Sequence, residues 1–442
     1  MILESMSRYW WRRDRRRNAR SLEELEKFPT LTSVEQLIWL QRALHSQIKY
    51  FGRREDALPE WREAACIKDP AELWRVWPTL PIVDRKLLQT HLHPQAIAQR
   101  FNLTGKLDAT GGSTGEPTPF FHDTEMLRAN AAVLLHARLQ MGWKPGRPTI
   151  IIWGSERDIG KETNFRNRLN NALFSNFLVD GYHLTRQTVG RVLSLIRHHQ
   201  PVAIYGFTAM LEYVARETLA MGACPPPGSV YLAWNGGEML FPEQSEIFQR
   251  AFGVPILNCY GGRELPAIAS QHKAGNPLHI TRPWNFIELV DDSGKPVGPG
   301  EPGRVICTST ICRGTPFLRY EIGDLADYDA ADCDESGIRA LREIQGRTAS
   351  VVALSNGKRI HTLYWNHLMK EFKEVRQFQI IIKNDGGLLF LLKGDGLTTD
   401  REAQLRTILE DFIGNLPVKL QWVDSIPLTR QGKLVQVVRE PA

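Results

Sequence analysis

The sequence has 442 residues, of which 42% are hydrophobic and 24% charged, and its formal net charge is +6. A chain of this length is expected to fold into two or three globular domains, and it has no apolar run of the roughly 18 residues that cross a bilayer. Its six cysteines include no CxxC pair, which excludes a disulfide framework and zinc-finger spacing and favours a reducing, cytoplasmic setting.

Nearly all of the net positive charge lies in residues 1–20, where seven arginines face only Glu4 and Asp14. The rest of the chain therefore lacks the basic field that is typical of nucleic-acid-binding proteins, and no nucleic acid partner is expected. This tail also lacks the apolar stretch of a secretory signal. We expect a solvated basic tail that is dispensable for catalysis, and binding to RNA or to an anionic membrane is the alternative.

Residues 21–100 are predicted to be mainly helical. Ser21 followed by Glu24 forms a helix-capping pattern, and residues 32–51 carry apolar side chains at helical spacing. From residue 105 to 345, strand-like runs alternate with helical stretches, which predicts an α/β domain with a largely parallel sheet. The strand-like runs are TIIIWG, VAIYGF, SVYLAWNGGE and VPILNCYGG. Ligands of such sheets bind at the carboxyl ends of the strands.

The last stretch, after residue 346, follows the order strand, helix, strand, strand, helix, strand, which is that of a small ferredoxin-like domain. Its two central strands flank NDGG, a favourable hairpin turn. We therefore predict three parts: a basic tail over 1–20, a large α/β domain over 21–345 and a small, mobile α+β domain over 346–442.

The first motif with chemical content is the segment TGGSTGEP, from Thr110 to Pro117. Its glycines and hydroxyls provide closely spaced donors that can wrap a phosphate, although no Gly-Lys-Ser/Thr follows, so it is not a Walker A loop. Alone, such a loop is more often a surface turn. Further motifs follow it in order: Gly236-Gly-Glu238, Tyr260-Gly-Gly-Arg-Glu264, Arg319-Tyr-Glu-Ile-Gly-Asp324, Gly346-Arg347 and Gly432-Lys433.

This ordered set resembles the core motifs of the adenylate-forming (ANL) superfamily, and within it the phenylacetate–CoA ligase branch. The segment PTLPIVDRKLL, ahead of the loop, also resembles that branch, and the resemblance covers roughly residues 70–440. It implies a large, multi-layer N-terminal α/β domain for ATP and the acyl group and a small C-terminal ferredoxin-like domain. It also implies ATP and Mg²⁺ as cofactors, with CoA as the default acceptor.

The resemblance further implies a role for each motif residue. The phosphate loop would hold the β- and γ-phosphates through Thr110, Gly111, Gly112, Ser113, Thr114 and Gly115. The adenosine would be bound by Gly237, Glu238, Tyr260, Gly261, Asp324 and Arg347, with Tyr260 stacked on the adenine and Asp324 accepting both ribose hydroxyls. The acid would contact Tyr205, Phe207, Gly236 and Arg263. The catalytic residues would be Glu264, which coordinates Mg²⁺, and Lys433, which reaches the α-phosphate.

Three positions depart from the family pattern. Glu116 stands where the phosphate loop usually has a lysine, which removes one positive charge. Arg263 replaces the threonine before the metal-binding glutamate, and could either restore that charge or contact an anionic substrate. Ala349 and Ser350 replace an acidic pair whose first member is the swivel between the two half-reactions in relatives, which puts thiol transfer in doubt.

The sequence thus predicts an AMP-forming ligase that activates a carboxylic, and by family weighting aromatic, acid and passes the acyl group to the CoA thiol. The alternatives are the same adenylation with an amine or hydroxyl acceptor, in natural-product or polysaccharide biosynthesis, and a non-catalytic nucleotide-binding protein. A structural zinc bound by His272, His279 and Cys333 is left open because the family's Cys-x-Cys pair is incomplete. The oligomeric state is also left open, a homodimer included.

Overall fold

A computed structural model describes residues 11, 19–110, 117–153, 171, 173–181, 184–347, 351–356, 358–361, 365, 368, 369, 371, 372, 374–414, 416–427 and 434–440. The chain divides into two compact units, Met1–Ile344 and Gln345–Ala442.

The described helices, numbered in chain order, are α1 Ala19–Lys27, α2 Ser33–Phe51, α3 Pro59–Ala64, α4 Pro70–Val76, α5 Arg85–Thr90, α6 Ile97–Arg100, α7 Thr124–Gln140, α8 Arg186–His199, α9 Thr208–Ala220, α10 Pro242–Phe252 and α11 Thr399–Ile413. Short 3₁₀ turns cover Phe28–Thr30, Trp77–Thr79, Pro94–Ala96 and Ala330–Asp332. Among the described residues, none of these helices combines the length and apolar character that crossing a membrane requires.

The described strands are β1 Gly105–Ala109, β2 Pro119–Asp123, β3 Thr149–Trp153, β4 Asn176–Asp180, β5 Val202–Gly206, β6 Val230–Asn235, β7 Ile256–Leu257, β8 Cys259–Tyr260, β9 Ala269–Ser270, β10 Leu278–Ile280, β11 Asn285–Val290, β12 Gly303–Ser309, β13 Tyr320–Asp327, β14 Cys333–Asp334, β15 Gly337–Ile338, β16 Ala340–Leu341, β17 Glu343–Arg347, β18 Val351–Ala353, β19 Arg359–His361, β20 Val375–Ile382, β21 Leu388–Gly394, β22 Val418–Trp422 and β23 Val437–Arg439.

Five parallel strands form the central sheet of the large unit, in the order β4-β3-β5-β6-β7. Their successive side chains pack to opposite faces. Ile204 joins a core with α8, α9 and α10, while its neighbour Ala203 joins a second core with α7. Both faces are covered, as is usual for parallel sheets. The predicted α/β domain is confirmed, and the carboxyl ends of β5 and β6 lie at one edge of the sheet.

Two four-stranded sheets complete the large unit, in the orders β11-β12-β13-β17 and β16-β10-β9-β8. The N-terminal helices α2 to α5 share a core with the first of them, which includes Leu44, Trp61, Leu73, Ile287 and Val305. The strands β1 and β2 form a separate antiparallel hairpin. The predicted helical character of residues 21–100 is thereby explained: these helices cover the sheet that carries Asp324 on β13.

The helix boundary near Ser21 differs from the prediction. Because α1 begins at Ala19, Ser21 is its third residue and does not cap it. The capping box lies instead at the start of α2, where Thr32 accepts a hydrogen bond from the Glu35 backbone and the Glu35 carboxylate accepts one from the Thr32 N–H at 2.8 Å. The same Ser/Thr-x-x-Glu pattern occurs at both places, so the pattern alone cannot tell them apart.

Arg319 is buried and ties together three distant segments of the large unit. Its Nε donates to Glu288 at 3.1 Å, and its Nη2 lies 3.1 Å from the other oxygen of that carboxylate. Its Nη1 donates to the carbonyls of Pro78, at 2.6 Å, and Leu80. Removing one partner of such a buried ion pair leaves the other charge buried without a counter-charge, which lowers the stability of the fold. The PTLP segment is therefore anchored beside the strand that leads to Asp324.

The small unit is an α+β domain with the sheet order β22-β21-β20-β23. The antiparallel pair β20–β21 is joined at the predicted NDGG turn, where Lys383 N donates to Gly387 O at 2.9 Å and Gly386 has a φ of +86°. Helix α11 buries Leu405 and Leu409 in the core of this unit. The last strand, β23, which pairs parallel with β20, was not predicted.

Within the basic N-terminal segment, Trp11 is buried, with 8% of its surface exposed. Its ring packs edge-on against Trp143 at 4.5 Å and against Phe174 at 4.6 Å between ring centroids. At this residue the expectation of a solvated tail is wrong, because the apolar surface of an indole is more stable inside a core than in water. Of the seven arginines in residues 1–20, the structure describes Arg20, and the other six lie outside the described residues.

We expect the replacement of Trp11 by alanine to destabilise the large unit by about 3–5 kcal/mol, the usual cost of removing a buried tryptophan. Urea unfolding followed by circular dichroism measures this change. Val34 is 57% exposed, so Val34→Ala is a control expected to shift the free energy of unfolding by less than about 0.5 kcal/mol. Equal midpoints for wild type and Trp11→Ala would contradict the packing described here.

Candidate active site

The residues that flank the predicted phosphate loop, Thr110 and Thr118, lie at the ends of β1 and β2. Thr110 N donates to Thr118 O at 2.9 Å, and Thr118 N donates to Thr110 Oγ1 at 3.0 Å. Both threonines are buried, so the two ends of the loop are closed by a fixed pair of hydrogen bonds. Residues 111–116, which include the predicted ligands Gly111, Gly112, Ser113, Thr114 and Gly115, lie outside the described residues, and their roles stay predictions.

Tyr260 and Asp324, which are 64 residues apart in sequence, meet in the structure. The Tyr260 hydroxyl donates to Asp324 Oδ2 at 2.8 Å, and both side chains are half-buried. Tyr260 lies at the end of β8, and Asp324 lies in β13. The family resemblance implies that these two residues bind the adenine and the ribose of one nucleotide, and in the structure they are joined by a hydrogen bond.

The turn from Gly261 to Leu265 holds the predicted metal ligand Glu264. A Cβ on Gly262 would lie 2.7 Å from Glu264 Oε2, so the carboxylate folds back over the turn beside this glycine. Gly262 N donates to Leu265 O at 2.9 Å, and the His122 ring hydrogen bonds through Nε2 to Glu264 O at 2.8 Å. These bonds fix the backbone of the turn that carries Glu264, and a carboxylate oxygen is a donor type that suits Mg²⁺.

Glu238 lies at the N-terminus of α9. Its Oε2 accepts a hydrogen bond from Ala209 N at 3.0 Å, where the helix's own N-cap residue, Phe207, offers no side-chain acceptor. An anionic oxygen at this position is favourable because helix N-termini carry partial positive charge. Asn235 links the same strand end to its neighbour, donating to Glu238 O at 3.0 Å and accepting from Cys259 N at 3.0 Å. Glu238 therefore positions the end of β6, while its predicted contact with adenosine is untested.

The predicted acyl-pocket residues form an aromatic stack across β3, β5 and β6. Tyr205 lies between Trp153, at 5.3 Å, and Trp234, at 5.2 Å, with interplanar angles of 23° and 18°. Phe207 stacks on Trp153 at 3.9 Å. A Cβ on Gly236 would lie 2.7 Å from the Tyr205 hydroxyl, so this glycine makes room for the phenol. Burial raises the pKa of Tyr205, which keeps the phenol neutral.

Arg263 contacts the base of the phosphate-loop hairpin. Its Nη1 lies 3.9 Å from Oδ1 of Asp108, and Lys106 Nζ lies 2.6 Å from Oδ2 of the same carboxylate. Burial opposes ionisation of Asp108, but the hydrogen bonds from Lys106 and the Ala109 N–H and the nearby charges of Lys106 and Arg263 lower its pKa below the ordinary value. The carboxylate is therefore ionised and shared between two cations.

Several predicted positions cannot be compared with the structure. Arg347 belongs to β17, but its side chain lies outside the described residues. Glu116, Ala349, Ser350 and the catalytic candidate Lys433 also lie outside them. Their assigned roles stay predictions.

His272 and His279, two of the residues considered for a zinc site, contact each other. The rings of His272 and His279 stack with centroids 4.3 Å apart, and burial lowers the pKa of His272 to about 4. Within the part of the chain that the structure describes, which includes Cys333, no group of three or more His, Cys, Asp or Glu residues could hold a metal ion. In the structure, the contact that these two histidines make with each other is ring stacking.

Sequence reasoning missed His122, Asp108 and Asn235, whose roles are contacts between segments. Single polar residues on strands carry no motif, so nothing in the sequence separates them from solvent-facing positions. Trp153 and Trp234 could have been found, because the same alternation that points Tyr205 to one face of its strand places Trp234 on that face of the next strand.

Comparisons with known proteins show what the chain is similar to. Residues 109–312 match the family described as AMP-binding enzyme. The chain is 24% identical to the phenylacetate-coenzyme A ligase of Thermus thermophilus over 332 residues, which is 70% of each chain. A crystal structure of 2-hydroxyisobutyryl-CoA ligase, in the postadenylation state with R3-HIB-AMP, matches 94% of this chain and 92% of its own, with a TM-score of 0.72 and 15% identity.

The same ligase also matches in a complex with 2-HIB-AMP and CoA in the thioesterification state, with a TM-score of 0.61. The amide bond synthetase McbA from Marinactinospora thermotolerans matches 74% of this chain and 66% of its own, with a TM-score of 0.52 and 19% identity. At such identities the structural matches establish the fold alone, a large α/β domain followed by a smaller sheet-rich C-terminal domain.

We expect Asp324→Ala to weaken AMP binding by at least tenfold, because each charge-assisted hydrogen bond to a ribose hydroxyl is worth about 1.5–3 kcal/mol. Isothermal titration with AMP measures the effect. Tyr260→Phe is the matched variant: it keeps the ring and loses the bond to Asp324, so its effect should be only about fivefold. Unchanged AMP affinity in Asp324→Ala would remove this residue from the site.

Proposed function

We propose that this chain, whose residues 109–312 form an AMP-binding enzyme domain, is an ATP-dependent ligase that joins a carboxylic acid to AMP. The observation that carries the proposal is the contact of Tyr260 with Asp324, two residues of separate motifs that one nucleotide would need together. In the reaction, a carboxylate oxygen attacks the α-phosphorus of ATP. The bond to the β-phosphate oxygen breaks, and acyl-AMP and pyrophosphate are formed.

The chemistry requires charge neutralisation more than proton transfer. A carboxylic acid is already ionised at neutral pH, so no general base is needed. Both reactants are anions, and the donors around them act by holding them in line and by stabilising the charge that gathers on the phosphate oxygens. Lys433 would supply a positive charge at the α-phosphate. Mg²⁺, when held at Glu264, supplies further positive charge beside the phosphates.

We propose an aromatic or similarly flat acid as the substrate. The rings of Phe207, Trp153, Tyr205 and Trp234 form a stacked cluster near the carboxyl ends of β5 and β6, and aromatic groups pack well beside such rings. The sequence relative that acts on phenylacetate supports the same class.

We propose the CoA thiol as the acceptor of the acyl group. An amine acceptor is the second candidate, favoured by Ala349 and Ser350 at the position of the swivel and by the structural match to an amide bond synthetase. A purely nucleotide-binding role is less consistent with this chain, because Glu264 and Lys433, which binding alone does not require, are both present.

The proposed location is the cytoplasm. The six cysteines form no disulfide bonds, which fits a reducing compartment. The partners that the proposed reaction requires are small molecules: the acid, ATP and the acceptor. We further propose that the unit Gln345–Ala442 moves between the two half-reactions.

The function is tested by ATP–pyrophosphate exchange with the full chain, using phenylacetate, benzoate, acetate and 2-hydroxyisobutyrate as acids. Exchange that depends on an added acid is the expected result, strongest with an aromatic acid. Nucleotide binding without exchange, across this panel and a broader one of aromatic, aliphatic and amino acids, would favour the non-catalytic alternative.

We expect Lys433→Ala to reduce exchange by about 10²- to 10³-fold, the usual effect of removing one group that stabilises developing charge. Nucleotide affinity should stay within a few-fold, because Tyr260, Asp324 and the phosphate loop, to which most of the nucleotide contacts are assigned, belong to the large unit. Lys419, an exposed lysine of the small unit that also contains Lys433, provides the matched control Lys419→Ala. Exchange near the wild-type rate in Lys433→Ala would show that Lys433 has no part in catalysis. A loss of nucleotide affinity as large as the loss of exchange would show that Lys433 binds the nucleotide before the reaction and does not act specifically on the transition state.

We expect thioester formation to be slow compared with adenylation, because Ala349 and Ser350 lack the acidic swivel and altered hinges slow gated steps. Mass spectrometry of acyl-AMP and acyl-CoA in reactions with acid, ATP and CoA measures both steps. Ala349→Asp should accelerate thioester formation without changing exchange. Rapid acyl-CoA formation by wild type, with no build-up of acyl-AMP, would refute this expectation.

A further inference from the structure

We propose that Asn235, the last residue of β6, is a positioning residue for nucleotide binding and acts by holding Tyr260 in place; this inference rests on the proposed function, in which Tyr260 contacts the adenine. Asn235 is completely buried, with 0% of its surface exposed. Its side chain hydrogen bonds to three segments that meet at the carboxyl edge of the central sheet. A polar side chain so deeply buried is stable only when its hydrogen-bonding atoms have partners.

The side-chain amide of Asn235 uses its oxygen and both of its N–H groups. The oxygen accepts from Cys259 N at 3.0 Å, and the nitrogen donates to Thr208 Oγ1 at 2.9 Å and to Glu238 O at 3.0 Å. Because the oxygen faces a backbone N–H and the nitrogen faces a backbone carbonyl, these partners fix the orientation of the amide. An aspartate would supply the acceptor without the two donors, and a leucine would supply neither.

The bond to Cys259 forms where the chain leaves the central sheet. Trp234 pairs with Leu257, the last residue of β7, and after one further residue the chain enters β8 with Cys259. The Cys259 N–H is therefore bonded by the Asn235 side chain at a point where the backbone pairing of β6 with β7 has ended. Backbone N–H groups that are removed from water need such a partner, so this bond determines where β8 begins.

Tyr260 directly follows Cys259 and is held from two sides. On the main-chain side, the preceding N–H is bonded to Asn235, and at the tip of the ring the hydroxyl donates to Asp324 at 2.8 Å. A ring that is already oriented loses little conformational freedom when a ligand binds, which favours binding. Loss of the Asn235 amide would release the main-chain side while the bond from Tyr260 to Asp324 could still form.

The same amide closes the turn that follows β6. Asn235 donates to Glu238 O, three residues further along the chain, and Gly237 within this turn has a φ of +74°, which glycine adopts without strain. Glu238 in turn accepts a hydrogen bond from Ala209 N at the start of α9. Asn235 therefore fixes the turn after β6 and the start of β8 relative to each other, although the two belong to separate motifs.

A purely structural role for Asn235 makes a different prediction. Its bond to Thr208 Oγ1 joins β6 to the first residue of α9 and involves neither motif. Removing this bond lowers stability, as the loss of a buried hydrogen bond does, but leaves the bonds to Cys259 and Glu238 in place. Thr208→Val, which nearly keeps the shape of the side chain, is therefore the matched control for a variant of Asn235.

Titration calorimetry of the full chain with AMP tests the inference. In Asn235→Leu, which has a similar volume and no hydrogen-bonding atoms, we expect the dissociation constant of AMP to rise about fivefold or more. Thr208→Val should bind AMP within about twofold of wild type, although both variants should unfold at a lower urea concentration. Asn235→Ala is a smaller change, because it leaves room for water to bond to the freed groups, and should raise the dissociation constant at least about threefold.

A double variant tests whether Asn235 acts through Tyr260. When either Asn235 variant is added to Tyr260→Ala, AMP affinity should change by less than about twofold, because the ring that Asn235 positions is gone. Unchanged AMP affinity in the Asn235 variants, an equal loss in Thr208→Val, or full additivity with Tyr260→Ala would overturn the inference. The expected pattern in a chain that shows no acid-dependent exchange would support the role of Asn235 and count against the ligase reaction alone.

Discussion

The candidate site depends on the hydrogen bond between Tyr260 and Asp324, because it joins two parts of the large unit that fold around different sheets. Tyr260 lies in β8 of the sheet β16-β10-β9-β8, whereas Asp324 lies in β13 of the antiparallel sheet covered by the N-terminal helices. The buried pair of Arg319 and Glu288 fixes the second part from beneath. A nucleotide that contacts both residues would be held by both sheets at once.

The second organising constraint is electrostatic. A reaction between two anions needs positive charge near the phosphates, and the segment Thr110 to Pro117 of this chain contains neither lysine nor arginine. Lys106 and Arg263 both lie beside Asp108, at 2.6 Å and 3.9 Å from its carboxylate oxygens, two residues before the start of this segment.

The alternation of strand and helix, the parallel sheet and the two-unit order could be predicted, because apolar periodicity and glycine turns are local signals. The pairing of Tyr260 with Asp324 followed only from the resemblance between motifs. His122, Asp108 and Asn235 could not be predicted, since their roles arise from contacts between segments that lie far apart in sequence. Trp11 was misjudged because the arginines around it dominate the local composition, whereas its own apolar surface determines where it packs.

The central claim is that the carboxylate of an acid attacks the α-phosphorus of ATP, and oxygen transfer tests this most directly. An acid that supports exchange is labelled with ¹⁸O in its carboxylate and incubated with the full chain, ATP and an acceptor, and the nucleotide product is analysed by mass spectrometry. The account predicts AMP that carries one ¹⁸O atom and pyrophosphate that carries none. Formation of ADP with the label in inorganic phosphate, or of unlabelled AMP, would contradict it.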